Sequence, residues 1–232
     1  MEATDATHGA GSPGRAGDAR PRVAAVISDF GGVLTSSLRN SFEAFEQTSG
    51  VPLLELGKAM AALAARHGAN PLFELETGRL SEAVFLRQIG AQLSEQLGRT
   101  IEMDGFGERY FAHLAPNERM IGYMRELRER DYKLAICTNN VREWEQLWRA
   151  MLPVDDIFDV VVDSAFVGSR KPEPLIYEIT LERLGVDPAA ALLIDDIELN
   201  CTGAQELGIR AVWFQSTEQA IADTEAALVD AG

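Results

Sequence analysis

The sequence predicts an α/β protein, a doubly wound parallel sheet interrupted early by an all-helical insertion. Short apolar runs recur along the chain, "RVAAVISDF", "YKLAICTNN", "FDVVVDSAF", "AALLIDDI" and "IRAVWF", each ending in small or polar residues. Their hydrophobicity is continuous rather than alternating, the pattern of strands covered on both faces. Between the later runs lie "NERMIGYMRELRER", "REWEQLWRAML" and "EPLIYEITLERLG", with apolar residues at helical spacing and Gly185 as a stop signal. Such alternation implies right-handed crossovers and helices on both sides of the sheet. One interval breaks the rhythm. From about Leu38 to about Ala115 the segments "SFEAFEQTSG", "PLLELGKAMAALAARHG" and "LSEAVFLRQIGAQLSEQLG" are all helical, joined by Gly, Asn and Pro.

Taken in chain order, residues 1–20 are rich in Gly, Ala, Thr and Asp without an apolar period and are expected to be a mobile tail. Residues 21–37 and 116–232 are expected to form the sheet core, and residues 38–115 a helical cap. An insertion directly after the first strand would sit above the carboxyl ends of the strands, where open α/β sheets bind ligands. No internal repeat is visible.

Composition narrows the function. With 21 basic against 36 acidic residues, the formal charge of −15 would repel nucleic-acid phosphates and anionic membranes. No apolar run approaches the roughly 18 residues of a membrane span, and the first 22 residues lack the apolar segment of a signal peptide, so a cytoplasmic location is expected. Cys137 and Cys201 fit reduced, non-catalytic thiols better than a disulfide.

The polar residues that could carry chemistry stand at strand ends. Asp29 follows the first run, Thr138, Asn139 and Asn140 the second, Arg170 and Lys171 lie in the loop after the third, and Asp195 and Asp196 follow the fourth. In a parallel sheet these ends converge on one edge. Carboxylates facing a lysine and hydroxyl or amide donors suit a phosphate held by Mg²⁺, a hard ion that takes one or two carboxylates plus substrate oxygens and water.

In that order, "DFGGVLTSS", "CTNN", "SRKPEPLIYEITLERLGV" and "LLIDDIELNCTGAQELGIRAVWF" resemble the four motifs of the haloacid dehalogenase superfamily. The insertion is similar to the family's helical cap subclass, and "DFGGVL" with "TNN" and "IDDIELN" is most similar to phosphatases related to the amino-terminal domain of soluble epoxide hydrolases. The resemblance implies a Rossmann-like core and a Mg-dependent phosphomonoester hydrolase acting on a small phosphorylated metabolite. It makes Asp29 the nucleophile that forms an aspartyl-phosphate. Thr138 and Asn139 would bind the phosphate and Lys171 would neutralise charge. Asp29, the carbonyl of Gly31, Asp196 and Asp195 would surround the metal, with Asp195 as ligand or supporting partner. Asn200 is expected to orient rather than ligate.

Gly31 departs from the family pattern. The residue two after the nucleophile is usually an aspartate that protonates the leaving group, a contribution of about 10²–10⁴-fold. Its absence implies a bias toward leaving groups that are already acidic, as in sugar 1-phosphates, acyl phosphates or aryl phosphates, or a proton donor from water or the cap. Two other readings are a 2-haloacid dehalogenase, which needs no cation for Asp195 and Asp196 to hold, and a catalytically impaired phosphate-binding protein. Trp144 and Trp148, one helical turn apart, read as core or interface packing. His67 and His113 read as surface or packing residues, and nothing in the spacing selects Ser36 or Arg39. The chain is expected to be a monomer or a homodimer, the apolar stretch "AMAALAA" being the candidate pairing face.

Overall fold

The computed structural model describes residues 22–229, so the expected tail at residues 1–20 lies outside the described residues. Five strands, β1 (Ala25–Ser28), β2 (Lys133–Thr138), β3 (Val160–Asp163), β4 (Ala191–Asp195) and β5 (Arg210–Trp213), form one parallel sheet in the order β3-β2-β1-β4-β5. Strand β1 is central, with Ser28 in register with Ile136 on one side and Ile194 on the other. The strand order therefore reverses at β1, and the residue after Ser28 emerges at the crevice where such sheets bind ligands.

The continuous hydrophobicity of the strands has a direct cause. Val26, Leu134, Ile136, Leu192 and Ile194 point to one face, where they pack with Met120, Met124 and Leu127 of helix α6 (Glu118–Glu129) and with Leu228 of the carboxyl-terminal helix Thr217–Val229. Ala25, Ile27, Ala135, Cys137 and Leu193 point to the other, against Ile176, Tyr177 and Leu181 of Pro174–Leu184 and Ala204 of Glu198–Glu206. Both faces are covered, so neither can be polar.

Helices α1 (Arg39–Ser49), α2 (Leu53–His67), α3 (Pro71–Glu76), α4 (Glu82–Leu97) and α5 (Phe106–Ala112) lie between β1 and α6. They enclose a separate apolar cluster that includes Phe45, Leu63, Leu75, Ile89 and Leu93. Asn70 caps α3 through Leu72 N–H, with Pro71 at its first turn, and Ser81 caps α4 through Val84 N–H. The chain enters and leaves this insertion side by side: Thr35 bridges Pro116, and Ser36 N–H donates to the Ala115 carbonyl at 2.7 Å.

The remaining helices are α7 (Glu145–Arg149), α8 (Val154–Ile157), α9 (Ser164–Val167), α10 (Pro174–Leu184), α11 (Glu198–Glu206) and α12 (Thr217–Val229). The "REWEQLWRAML" stretch forms a 3-10 turn, Arg142–Trp144, before α7 rather than one helix. Among the described residues no helix is long and apolar enough to cross a membrane.

One contact ties the helical layer to the crevice. A Cβ on Gly203 of α11 would lie 2.8 Å from Pro172 Cβ and 2.9 Å from the Pro172 carbonyl oxygen, closer than real side chains approach. Gly203→Ala is therefore expected to push α11 from the Lys171–Pro172 segment and to cost about 1–3 kcal/mol, the usual range for overpacking, with loss of any activity that needs Lys171. Denaturant unfolding checks it, and an unchanged midpoint would refute the close packing.

Candidate active site

Asp29 leaves β1 with its N–H donating to the Ile194 carbonyl at 2.8 Å, which sets it beside the end of β4. Lys171 arrives from the loop after β3 and α9. Its ammonium, 1% exposed, lies 2.7 Å from Asp29 Oδ1 and 2.6 Å from Asp195 Oδ2. The loop is held to the end of β2 by Asn139, whose Nδ2 donates to the Lys171 carbonyl at 3.0 Å and whose Oδ1 accepts from Lys171 N–H at 2.8 Å. Asn139 is thus engaged with the backbone that presents the lysine rather than offering its amide freely to a ligand.

Asp195, fully buried, accepts from Lys171 on one oxygen and from Asn200 Nδ2 and Ile197 N–H, each at 2.9 Å, on the other. Asn200 is in turn fixed on α11, where its carbonyl accepts from the Tyr177 hydroxyl at 2.8 Å. Asp196 is half-buried beside the Gly32 turn. Gly32 has φ of +81°, and a Cβ there would collide with Asp196 Oδ2, so only glycine permits this approach. Gly31 has ordinary backbone, and Leu38 methyl carbons stand 3.1 and 3.2 Å from where its Cβ would be.

Oxygen atoms of Asp29, Asp195 and Asp196 lie within 4.8 Å of one another. Three carboxylates against one ammonium leave an excess of negative charge in a buried place. Burial, then repulsion from Asp195 and Asp196, pushes Asp29 up to about 7 despite the attraction of Lys171. Burial and then Asp195 push Asp196 up to about 6. For Lys171, burial disfavours the charge, but Asp195 and Asp29 outweigh it and hold the ammonium well above its usual range. An all-oxygen donor set with surplus negative charge fits a hard divalent cation.

The site opens into a cavity of about 560 Å³ between the sheet edge and the helical insertion. Asp29, Gly31, Thr138, Asn139, Asn140, Lys171, Asp196 and Asn200 line its floor. Thr138 is 2% exposed at the end of β2. Asn140 shapes the loop beyond it, its N–H donating to Ser164 Oγ at 3.0 Å and its Oδ1 accepting from Val141 N–H at 2.9 Å. Asp29 Oδ2 accepts no hydrogen bond among the described residues, whereas Oδ1 is taken by Lys171.

Residues from the insertion complete the walls, and local sequence gave no signal for them. Glu76 of α3 pairs with Arg170 at 2.6 Å, and the Arg170 guanidinium lies 3.9 Å from the centre of the Phe73 ring. Trp144 Nε1 donates to Glu82 of α4 at 2.7 Å. Trp144 therefore joins the insertion to the core, and Trp148 is fully buried in the core, as packing residues. His67 and His113 are exposed and do not line the cavity, Ser36 bonds Ala115, and Arg39 pairs with exposed Glu43. Cys137 and Cys201 are free and buried, and burial pushes their thiols up to about 11 and 12.

The site thus combines an aspartate at the end of the central strand of a Rossmann-like sheet with a buried lysine and an acidic pair. The profile of haloacid dehalogenase-like hydrolases matches residues 23–208, and the chain belongs to that family. Among curated relatives, it is 31% identical over 193 residues to Phosphatase MT3486 of Mycobacterium tuberculosis, covering 82% of this chain and 86% of that one. It is 37% identical over 110 residues to Glyceraldehyde 3-phosphate phosphatase of Pyrococcus abyssi, 45% of this chain and 44% of the relative. It is 29% identical over 211 residues to Acyl-CoA dehydrogenase family member 10 of Mus musculus, 88% of this chain but 19% of the relative. The chain thus spans less than half the length of these last two. Among solved structures, a HAD family enzyme of Bacteroides thetaiotaomicron in complex with magnesium and inorganic phosphate superposes with a TM-score of 0.61 at 23% identity, covering 82% of this chain and 93% of that one. L-2-haloacid dehalogenase of Xanthobacter autotrophicus superposes with a TM-score of 0.58 at 22% identity, covering 82% and 76%. The family profile makes the chain a haloacid dehalogenase-like hydrolase, and several of the relatives it resembles are named as phosphatases.

The buried lysine carries a stability prediction. Removing one partner of a buried ion pair costs about 3–5 kcal/mol because the other charge stays buried. Lys171→Met is expected to cost this much near neutral pH and less in acid, where Asp29 can take up a proton instead. In the parent protein Asp29 and Asp196 sit above the ordinary carboxylate value of 3.8. The folded state therefore binds more protons than the unfolded one from about pH 4 up to their folded values, and their contribution to stability is lost as pH rises through about 6 to 7. Unfolding across pH checks both signs. A Lys171→Met penalty that is constant with pH would contradict the account.

Proposed function

We propose that the chain is a Mg²⁺-dependent phosphomonoester hydrolase acting through an aspartyl-phosphate on Asp29. The observation that carries the reading is the split use of the Asp29 carboxylate: Oδ1 is held by Lys171 at 2.7 Å, and Oδ2 is left without a hydrogen bond beside the cavity. Oδ2 attacks phosphorus, the bond to the leaving oxygen breaks, and that oxygen departs with the electron pair. Water then attacks the aspartyl-phosphate, the bond between phosphorus and Asp29 breaks, and inorganic phosphate is released with the carboxylate restored. Lys171 favours the ionised form of Asp29 against the burial that opposes it and lies where it can balance charge on the phosphoryl oxygens, while Thr138 supplies a hydroxyl on the same floor. Asn139 and Asp195, each bonded to Lys171, hold the lysine in place.

Asp29, Asp196 and the Gly31 carbonyl would hold Mg²⁺, with Asp195 completing the acidic set from behind Lys171. When bound, the ion supplies the positive charge that three carboxylates and a phosphate together lack. The dehalogenase alternative leaves Asp195 and Asp196 without that counter-charge. Two free, buried cysteines fit a reducing, cytoplasmic compartment.

With Gly31, a proton donor is missing beside the leaving oxygen, and Leu38 methyl groups stand over the vacant position. The substrate is therefore one whose leaving oxygen is already acidic. Hydrolysis of p-nitrophenyl phosphate with Mg²⁺ is expected for the native protein, abolished by chelation and by Asp29→Asn. A Cβ at position 31 needs Leu38 to yield by a few tenths of an ångström, and Gly31→Asp should raise turnover of a simple alkyl phosphate about 10²-fold while changing p-nitrophenyl phosphate little, as expected for a restored general acid. Equal native rates on alkyl and aryl phosphates would refute the leaving-group argument, and turnover surviving in Asp29→Asn would refute the nucleophile.

A ligand-linked shift tests the ion separately. Mg²⁺ should raise the melting temperature, by an increment that grows from about pH 5 to pH 8 as Asp29 and Asp196 ionise, because metal binding requires the deprotonated ligands. An increment independent of pH would place the ion elsewhere.

A further inference from the structure

The floor and the roof of the cavity have opposite chemistry. Its polar side chains gather where Asp29, Thr138, Lys171 and Asp196 meet. Away from them, the walls are built by Leu38, Leu56, Met60, Leu72, Phe85 and Trp144 and by further hydrocarbon of the insertion. The charged residues on the insertion side, Glu76 and Arg170, neutralise each other at 2.6 Å, and Arg170 also covers Phe73. Aromatic rings form one wall: Tyr110 stacks on Trp144 with centroids 5.2 Å apart and planes 25° apart, and Phe106 stacks on Tyr110 at 6.0 Å and 27°.

A volume of about 560 Å³ lies well inside the range of small-molecule sites, about 300–1,000 Å³. A sugar placed there would set several hydroxyls against hydrocarbon, and each unpartnered hydroxyl weakens binding by roughly tenfold or more. A hydrocarbon leaving group gains instead, by about fourfold per methylene-sized unit buried. Aromatic rings add offset or edge contacts with other rings beyond their area.

The wall also lacks a ready proton. The Tyr110 hydroxyl is held above its usual range by burial and by the charges of Asp29, Glu76 and Asp196. Glu76 is engaged by Arg170. Leu38 methyl groups, rather than an acid, stand beside the position a side chain at Gly31 would occupy.

Resting on the phosphatase reading, we infer that the substrate class is the aryl phosphates: a phosphate esterified to a phenol-type oxygen that carries a bulky, unsubstituted aromatic or hydrocarbon group. Such a group satisfies both constraints at once, since a phenolate leaves without protonation and its ring lies against the Phe106, Tyr110 and Trp144 wall. Small polar phosphates, even activated ones, satisfy only the first.

The test compares kcat/KM of the native protein with Mg²⁺ on phenyl phosphate, 2-naphthyl phosphate, acetyl phosphate and glucose 1-phosphate. The two aryl leaving groups are close in acidity, so the second ring isolates the apolar wall. 2-Naphthyl phosphate is expected to exceed phenyl phosphate by about tenfold or more, from the surface its second ring buries, and both aryl phosphates to exceed glucose 1-phosphate by a larger factor. Met60→Gln should lower the ratio of naphthyl to acetyl turnover, a ratio that cancels any loss of folded enzyme. Should that variant not fold, inhibition of the native protein by 2-naphthol but not by glycerol gives the same information. Glucose 1-phosphate or acetyl phosphate turned over as well as 2-naphthyl phosphate would overturn the inference while leaving the phosphatase intact. Turnover of none of the four would instead strike the phosphatase reading itself.

Discussion

A single buried ammonium holds the candidate site together. Lys171 joins Asp29 at the end of β1 to Asp195 at the end of β4, with both contacts under 3 Å and almost no solvent near the charge. A lone ammonium or carboxylate would not remain charged at such a depth, because burial favours the neutral form of each. Together they can, provided that the loop bearing Lys171 is placed accurately. That requirement explains what surrounds it: Asn139 bonded to both the N–H and the carbonyl of Lys171, Asn200 and Ile197 N–H bonded to Asp195, and a glycine at position 203 so that α11 can press on Pro172. The sheet order serves the same end: β4, beside β1, brings Asp195 next to Asp29, and Asn139 after β2, on the other side of β1, holds the loop that carries Lys171.

The parts of this arrangement that depend on strand ends were legible in the sequence. Apolar runs closed by Asp29, Thr138 and the Asp195–Asp196 pair needed only the convergence of parallel strands to become one edge, and the helical insertion showed as an interval with no strand-like run. What could not be read is what depends on the partner rather than on the residue. Asn139 was expected to face a ligand, because a strand-end amide has no local mark that it is bonded to a loop more than thirty residues away. Glu76 looks like an ordinary surface charge in its own segment, and only the seating of α3 on the loop makes it a nearly buried partner of Arg170. The splitting of "REWEQLWRAML" into a 3-10 turn and a short helix follows from Trp144, which turns toward Glu82 and the aromatic wall while Trp148 is drawn into the core.

Charge and hydrophobicity are separated across the cavity, and the separation divides the labour. The floor has more negative charge than Lys171 can balance, and Lys171, Asp195, Asn139 and Asn200 are held on it by hydrogen bonds to one another. The roof is hydrocarbon with one self-neutralised pair, so it can select by shape and burial but has little with which to donate a proton. Gly31 stands at the boundary. Its neighbour Gly32 must be glycine because the backbone passes against Asp196, whereas Gly31 has ordinary backbone and loses its side chain to packing by Leu38. The absence of an acid at that point is thus a replacement of a polar group by apolar contact, consistent with a chamber that favours acidic, apolar leaving groups.

The central claim, that Asp29 attacks phosphorus and water then attacks the same phosphorus, is tested most directly by repeated turnover in water enriched in heavy oxygen, followed by mass measurement of the released phosphate and of the peptide containing Asp29. The account predicts heavy oxygen in the phosphate and none in the Asp29 carboxylate, because the second bond broken is between phosphorus and oxygen. Heavy oxygen in Asp29 would mean that water attacks the carboxyl carbon, as in displacement of a halide by an ester intermediate, and would contradict the account.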